Sequence, residues 1–327
     1  MAPTPALVVA LPRVDLGVKE TPVERWVLDG VSLLSKRDDL SADELGGNKV
    51  RALEFLLAGV QPGRVVLTVG PTGSTHALAV ARYAGRLGAR ADVITWPQET
   101  HAVSVITAAR LRASACVTHA RSPLDAYARA GWRRAITDVC WIPAGASVPL
   151  GAVGHVLAAL ELVAQCARNG LSIPKTIVVP LGSGGTVAGL LVGFTIAGVS
   201  TKVVGVRVAP RIVANRRRVM SLARRTHELV TRASGGALPS LDERCLVIDD
   251  HSYGGAYGRE TPSGKLAAAH LAAAGGPRLD ATYSAKALAS ALELARETGD
   301  EDVLFWLTFD GRWIVDGDEG LRQARPT

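Results

Sequence analysis

Along the chain, short apolar runs alternate with longer stretches in which apolar side chains recur every three or four positions. Residues 65–69 and 91–95 read as strands, and helical patterns follow them at 75–87 and near 103–113. The β-branched run 176–181 is a further strand, with a helix over 187–197 behind it. Strands at 202–208, 246–248 and 303–308 and helices at 265–274 and 286–298 complete the pattern. This alternation predicts an α/β protein with mostly parallel, twisted sheets flanked by helices. Parallel neighbours need crossovers, and the helices supply them. Upstream of the first strand, Gly46-Gly47-Asn48-Lys49-Val50-Arg51 leads into a helix with Leu53, Leu56 and Leu57 at helical spacing and Gly59 placed to stop it. The Gly/Pro-rich stretch 143–154 is the best linker candidate.

A chain of 327 residues, 48% hydrophobic and 20% charged, has material for two domains and an ample core. No apolar run is long enough to span a bilayer, so no membrane partner is expected. The apolar stretch 6–11 lacks a basic flank, which argues against a signal peptide. Cys116, Cys140, Cys166 and Cys245 are scattered without metal-ligand spacing. They read as reduced core cysteines of a cytoplasmic protein with no metal centre. The net charge of +7 changes the picture only locally. Much of it sits in Arg211, Arg216, Arg217, Arg218, Arg224, Arg225 and Arg232, where Val219, Leu222, Ala223, Leu229 and Val230 suit an amphipathic helix with a solvated arginine face. No aromatic residue there offers a base a stacking platform, so specific nucleic-acid binding is not expected.

Candidate chemistry lies in the loops. Lys49 follows a glycine turn on a rigid element. Partly desolvated there, it could act as a neutral amine and form a Schiff base. An ordinary surface lysine in a first helical turn would look the same, although the chain has only seven lysines against thirty arginines. Gly182, Ser183, Gly184, Gly185 and Thr186 join a strand to a helix. Their backbone amides and the helix N-terminus make an anion cradle. The loop matches neither the Walker A pattern nor G-x-G-x-x-G, and a bare strand–helix turn is the alternative. Ser74, Thr75 and His76 close another strand–helix loop, where they could meet a small molecule or simply cap the helix. Tyr257, in a glycine-rich loop, and Tyr283, ahead of the last helix, are candidate pocket walls and proton-transfer groups.

These pieces occur together, in this order, in one family. The sequence resembles the pyridoxal-phosphate enzymes of the tryptophan-synthase-β fold (fold type II), and within them the 1-aminocyclopropane-1-carboxylate deaminase and D-cysteine desulfhydrase group. The likeness covers nearly the whole chain. It runs from Thr21-Pro22-Val23 and Lys36-Arg37-Asp38-Asp39 through the Gly-Gly-Asn-Lys-x-Arg string to Ser74, His76 and the 182–186 loop. It ends with Tyr257, Tyr283-Ser284-Ala285-Lys286 and Val303-Leu304-Phe305. It implies a smaller α/β domain over residues 47–155, set into a larger one of 1–46 plus 156–327. Pyridoxal 5'-phosphate would lie between them, in a homodimer. By the same resemblance Lys49 would carry the cofactor and residues 182–186 would hold its phosphate. Asn48, Thr75 and Ser284 would be further cofactor contacts. Ser74, Thr75, His76 and Tyr257 would meet the substrate; Ser74, Tyr257 and Tyr283 would join Lys49 in catalysis.

Four positions depart from the family pattern. Thr75 replaces an asparagine, Ala52 a phosphate-binding lysine, Ser284 a glutamate or threonine, and Phe309-Asp310 a glycine pair. The resemblance implies a lyase or deaminase that acts on a small amino acid, by β-elimination as in the desulfhydrases, and yields ammonia and a 2-oxo acid. β-Replacement and 1-aminocyclopropane-1-carboxylate deamination are the alternatives, and a catalytically impaired ligand-binding homologue is the alternative of another class.

Overall fold

The computed structural model describes residues 11–99, 101–298 and 302–314. The residues of the 6–11 stretch up to position 10 lie outside them. The strands form two sheets. One contains β1 (Val23–Leu28), β2 (Val31–Lys36), β7 (Thr176–Leu181), β8 (Lys202–Arg207), β9 (Leu246–Asp249) and β10 (Val303–Trp306), in the order β1-β2-β10-β7-β8-β9. Only β1 runs antiparallel to its neighbour. The other sheet is wholly parallel, with β3 (Val65–Pro71), β4 (Arg90–Trp96), β5 (Cys116–His119) and β6 (Cys140–Ile142) in the order β5-β4-β3-β6. The helices are α1 (Asn48–Leu56), α2 (Thr75–Arg86), α3 (Ala102–Ser114), α4 (Pro123–Ile136), α5 (Pro149–Arg168), α6 (Gly185–Ile196), α7 (Arg216–Ser234), α8 (Pro262–Ala273) and α9 (Ser284–Thr298). The α/β class and the parallel sheets are as the pattern predicts.

Three expectations need correction. The second half of the candidate linker 143–154 is the start of α5, whose glycines are packing sites. A Cβ at Gly154 would collide with the Arg51 carbonyl oxygen of α1. On the other side of α5, a Cβ at Gly189 of α6 would lie 2.5 Å from the Ala152 carbonyl oxygen. Squeezed between two helices, α5 is apolar over most of its surface, with His155, Glu161, Gln165 and Arg168 as its polar side chains. It is therefore long and apolar enough to cross a membrane by length and composition, yet 67% of that stretch is buried inside the protein. Third, of the four free cysteines only Cys166 is in the core, and Cys116 is exposed.

Behind α1 lies a buried charge network. Arg51 Nη2 is 2.8 Å from Asp38 Oδ1, and its Nη1 is 3.0 Å from Glu161 Oε2. Lys36 Nζ reaches Glu161 Oε1 at 2.5 Å, and Trp306 Nε1 donates to Asp38 Oδ2 at 2.9 Å. Two cations balance two carboxylates, and the hydrogen bonds satisfy the remaining lone pairs. The network fixes α1 against α5 and the six-stranded sheet. In that sheet, β8 and β9 follow β7 on one side while β10 lies on the other. The loops after β7 and β10 therefore open on the crevice at a topological switch point.

Candidate active site

Lys49 is positioned by a segment more than 250 residues away in sequence. Gly47 caps α1 with φ +94°, and a Cβ there would strike the Thr308 carbonyl oxygen, so only glycine fits. Asn48 N donates to that same oxygen at 3.1 Å, and Gly47 forms an antiparallel bridge with Phe309. Gly46 N donates to Asp310 Oδ2 at 2.9 Å, and Arg312 Nε holds Asp310 Oδ1 at 2.8 Å. The turn before the lysine is thus clasped by the tail of β10. Lys49 itself is half-buried, and among the described residues its Nζ has no hydrogen-bond or ion-pair partner. Burial brings its ammonium down to about 8. It borders a narrow cleft of about 30 Å³, with Thr75, Thr308, Phe309 and Trp313 among the walls.

The loop after β7 turns into α6 through Gly184, which has φ +94° and lies against Val219 of α7. Asn48 Nδ2 donates to Thr186 Oγ1 at 2.8 Å, which ties this loop to the lysine helix. Ser147 escaped the sequence reading. Its Oγ accepts from Gly185 N at 3.0 Å and stands 2.6 Å from Ser183 Oγ. Gly182 is covered by Tyr283, whose Cε1 would lie 3.1 Å from a Cβ at that position.

Tyr283 and Ser284 start α9, where the two Asp280 carboxylate oxygens accept from their backbone N–H groups at 2.8 and 3.0 Å. The Tyr257 and Tyr283 rings meet edge to face with centroids 5.9 Å apart, and their hydroxyls hydrogen-bond each other. Burial pushes the Tyr257 phenol up to about 12, and burial with the Tyr257 neighbour raises Tyr283 well above its ordinary value. Both phenols therefore keep their protons at neutral pH. Ser284 Oγ is buried and has no hydrogen-bond partner among the described residues. An unpaired buried hydroxyl costs about 1–3 kcal/mol, which a ligand atom can relieve.

The strand–helix loop at Ser74 behaves partly as a cap. Ser74 Oγ accepts from Ala77 N at 3.2 Å at the start of α2, and Thr75 faces the cleft beside Lys49. His76 departs from the expected substrate contact. It is 4% exposed, and its Nε2 shares a hydrogen bond with Thr68 Oγ1 of β3 at 3.1 Å, so the imidazole is turned into the sheet. Burial first, and Lys49 second, push it down to about 3, leaving it neutral. His155 was not anticipated and is held equally neutral by the same two causes. A lone histidine in the apolar helix α5 was the signal for it. For Asp280, the signal was an acidic residue just ahead of a helix.

Taken together, an amine without a partner, a left-handed glycine loop at a helix N-terminus and an unpaired buried hydroxyl fit the three polar ends of pyridoxal phosphate: its aldehyde, its phosphate and its ring nitrogen.

Known proteins point to the same cofactor. A family profile described as pyridoxal-phosphate dependent enzyme matches residues 14–308. The chain is 34% identical to the nocardicin C-9' epimerase of Nocardia uniformis subsp. tsuyamanensis over 91% of this chain and 93% of that protein. It is 30% identical to the D-cysteine desulfhydrase of Serratia proteamaculans over 86% of this chain and 88% of that one. The crystal structure of a 1-aminocyclopropane-1-carboxylate (ACC) deaminase homologue superposes with a TM-score of 0.76 at 27% identity, covering 97% of this chain and 98% of that one. This chain belongs to the pyridoxal-phosphate-dependent enzyme family.

Proposed function

We propose that this protein is a lyase that acts on a small amino acid by β-elimination and releases ammonia and a 2-oxo acid. The observation that carries the proposal is Lys49 Nζ. It is unpaired among the described residues, holds a pKa near 8, and sits one residue from the Asn48–Thr186 link to the anion cradle. When bound, pyridoxal phosphate supplies an electron sink for the substrate Cα. Lys49 attaches the cofactor, and its free amine then moves the proton at Cα. The amides of residues 182–186 hold the phosphate. Ser74 and Thr75 orient the substrate, and the protonated Tyr257–Tyr283 pair walls the reactive face and donates hydrogen bonds. Ser284 offers the ring nitrogen a hydroxyl. A hydroxyl stabilises a ring cation less than a carboxylate does, which favours substrates whose β-leaving group takes up the electrons.

The relatives named D-cysteine desulfhydrase and ACC deaminase homologue support the lyase class. The relative named an epimerase favours a second reading, return of the proton to Cα with nothing expelled. We also propose a cytoplasmic homodimer without a membrane partner. Residues 47–155 would be its smaller unit, in line with a four-stranded sheet drawn from within 65–142.

The test has two parts. Borohydride should fix the cofactor to a peptide containing Lys49, and failure to do so would remove the enzyme reading. Ammonia and 2-oxo acid should then appear faster from β-chloro-D-alanine or D-cysteine than from 1-aminocyclopropane-1-carboxylate. The reverse order contradicts the role given to Ser284. A change of optical rotation without ammonia selects epimerisation.

A further inference from the structure

Several surface arginines elsewhere in the chain sit beside carboxylates: Arg64 beside Asp138, Arg82 beside Glu44, Arg168 beside Glu20, Arg224 beside Glu243 and Arg259 beside Glu99. Arg217, Arg218 and Arg225 do not. Among the described residues none of the three has an ion-pair partner, and Arg225 Nε only donates to the Ser221 carbonyl one turn earlier, at 3.3 Å. All three line one open cavity of about 310 Å³, whose remaining walls are Ser147, Ser183, Ser221 and Leu222. Among the described residues no carboxylate lines it. Arg218, Ser221 and Arg225 recur at helical spacing on one face of α7. The two arginine positions stand about 10 Å apart along the axis. Opposite them, Ser147 Oγ and Ser183 Oγ are 2.6 Å apart.

Uncompensated guanidinium groups around a concavity with hydroxyl donors match the needs of a phosphate, which an arginine fork can grip with two hydrogen bonds. The wall has no aromatic surface for stacking bases, and its size suits a small molecule. We propose that this cavity binds a phosphate-bearing small molecule beside the cofactor's phosphate cradle, whichever reaction the enzyme catalyses. The two sites share Ser183 and meet again at Ser147, whose Oγ accepts from Gly185 N of the cofactor loop. An occupant that draws the Ser147 hydroxyl away would alter how that loop holds the cofactor phosphate.

The test is calorimetric titration of inorganic pyrophosphate into the cofactor-loaded protein at physiological ionic strength, with cofactor absorbance followed in parallel. Saturable one-to-one binding is expected. Arg218→Ser and Arg225→Ser should each weaken it about tenfold, the loss of one charged hydrogen-bonding partner. Arg232→Ser, on the same helix but outside the cavity, should leave it unchanged, and all three variants should keep wild-type cofactor absorbance and melting temperature. Non-saturable binding, or binding that survives the Arg218→Ser/Arg225→Ser double substitution, overturns the site. Release of cofactor by pyrophosphate, or loss of cofactor absorbance in the arginine variants, also overturns it, because the probe would then occupy the cofactor cradle. Tighter binding of a short DNA duplex than of pyrophosphate, lost in the same variants, reassigns the arginines to nucleic acid and equally defeats the proposal.

Discussion

Replacing Arg51 with methionine keeps most of the side-chain volume and removes one of the two buried cations behind the lysine helix. Asp38 would retain its hydrogen bonds from Trp306 Nε1 at 2.9 Å and Thr21 Oγ1 at 3.2 Å, but would lose its guanidinium. Glu161 would keep only Lys36 as a cation partner. Breaking a buried pair from one side costs about 3–5 kcal/mol, a large share of a typical total stability of about 5–15 kcal/mol. The pH dependence sharpens the test. Burial alone would raise the Glu161 carboxyl, but Arg51 and then Lys36 outweigh it and hold it below its ordinary value. In the wild type this contributes stability above the ordinary carboxylate pKa, lost as pH falls through the depressed one. In Arg51→Met the largest opposing influence is gone, so the carboxyl rises and takes up a proton at higher pH. The variant therefore loses less on acidification than the wild type does. Urea unfolding of both proteins at pH 8 and pH 5 should give a gap of about 4 kcal/mol that narrows at the lower pH. A gap below about 1 kcal/mol, or one identical at both pH values, would refute this account of the network.

The remaining predictions concern the site. Cofactor uptake by the cofactor-free protein should accelerate with pH and level off above about 8, where Lys49 becomes neutral; a rise continuing to the ordinary lysine pKa of 10.5 would contradict its desolvation. Gly184→Val adds a β-branched side chain at φ +94°, against Val219 Cγ2 at 3.2 Å from the new Cβ. It should weaken cofactor retention at least about tenfold by equilibrium dialysis, since left-handed strain and the clash together exceed about 1.4 kcal/mol. Phe309→Ala removes an 8%-exposed ring that meets Trp313 edge to face with centroids 6.1 Å apart. It should lower stability by about 3 kcal/mol and shift kcat/KM toward substrates with larger side chains, and an unchanged substrate profile would remove Phe309 as a pocket wall.

What was legible in the sequence were the features written in local pattern. The β-branched run before Gly182 and the alanine-rich run after Ser74 specify their own geometry: the strand is Thr176–Leu181 as expected, and the helix ends one residue early, at Arg86. The hairpin of β1 and β2 was readable but overlooked. Asp29 and Gly30 both have positive φ, the signature of a tight turn between alternating strands. So was α4, where Ser122 caps and Pro123 opens the helix. Other features were not local. Gly151 and Gly154 look like flexibility until α1 and Ala146 lie against them. The inward turn of His76 depends on how its helix folds back over Thr68 of the preceding strand, and the role of Ser147 depends on a loop 36 residues on. No periodicity records such partners.

The clasp on the lysine turn has a consequence for biosynthesis. Thr308 and Asp310 hold Gly46, Gly47 and Asn48, and β2 has β10 as its second neighbour. A ribosome delivers these partners hundreds of residues apart. Until residue 310 has emerged, the growing chain carries an unpaired strand edge and a lysine turn held only from one side, by the hydrogen bonds of Gly47 to Asp38 and Ser41. A fragment that stops after α9 would contain every residue of the anion cradle and still present Lys49 on a loose turn. Capture of the cofactor would then act as a checkpoint on completed synthesis, and the yellow colour of the loaded enzyme would mark chains translated through that clasp.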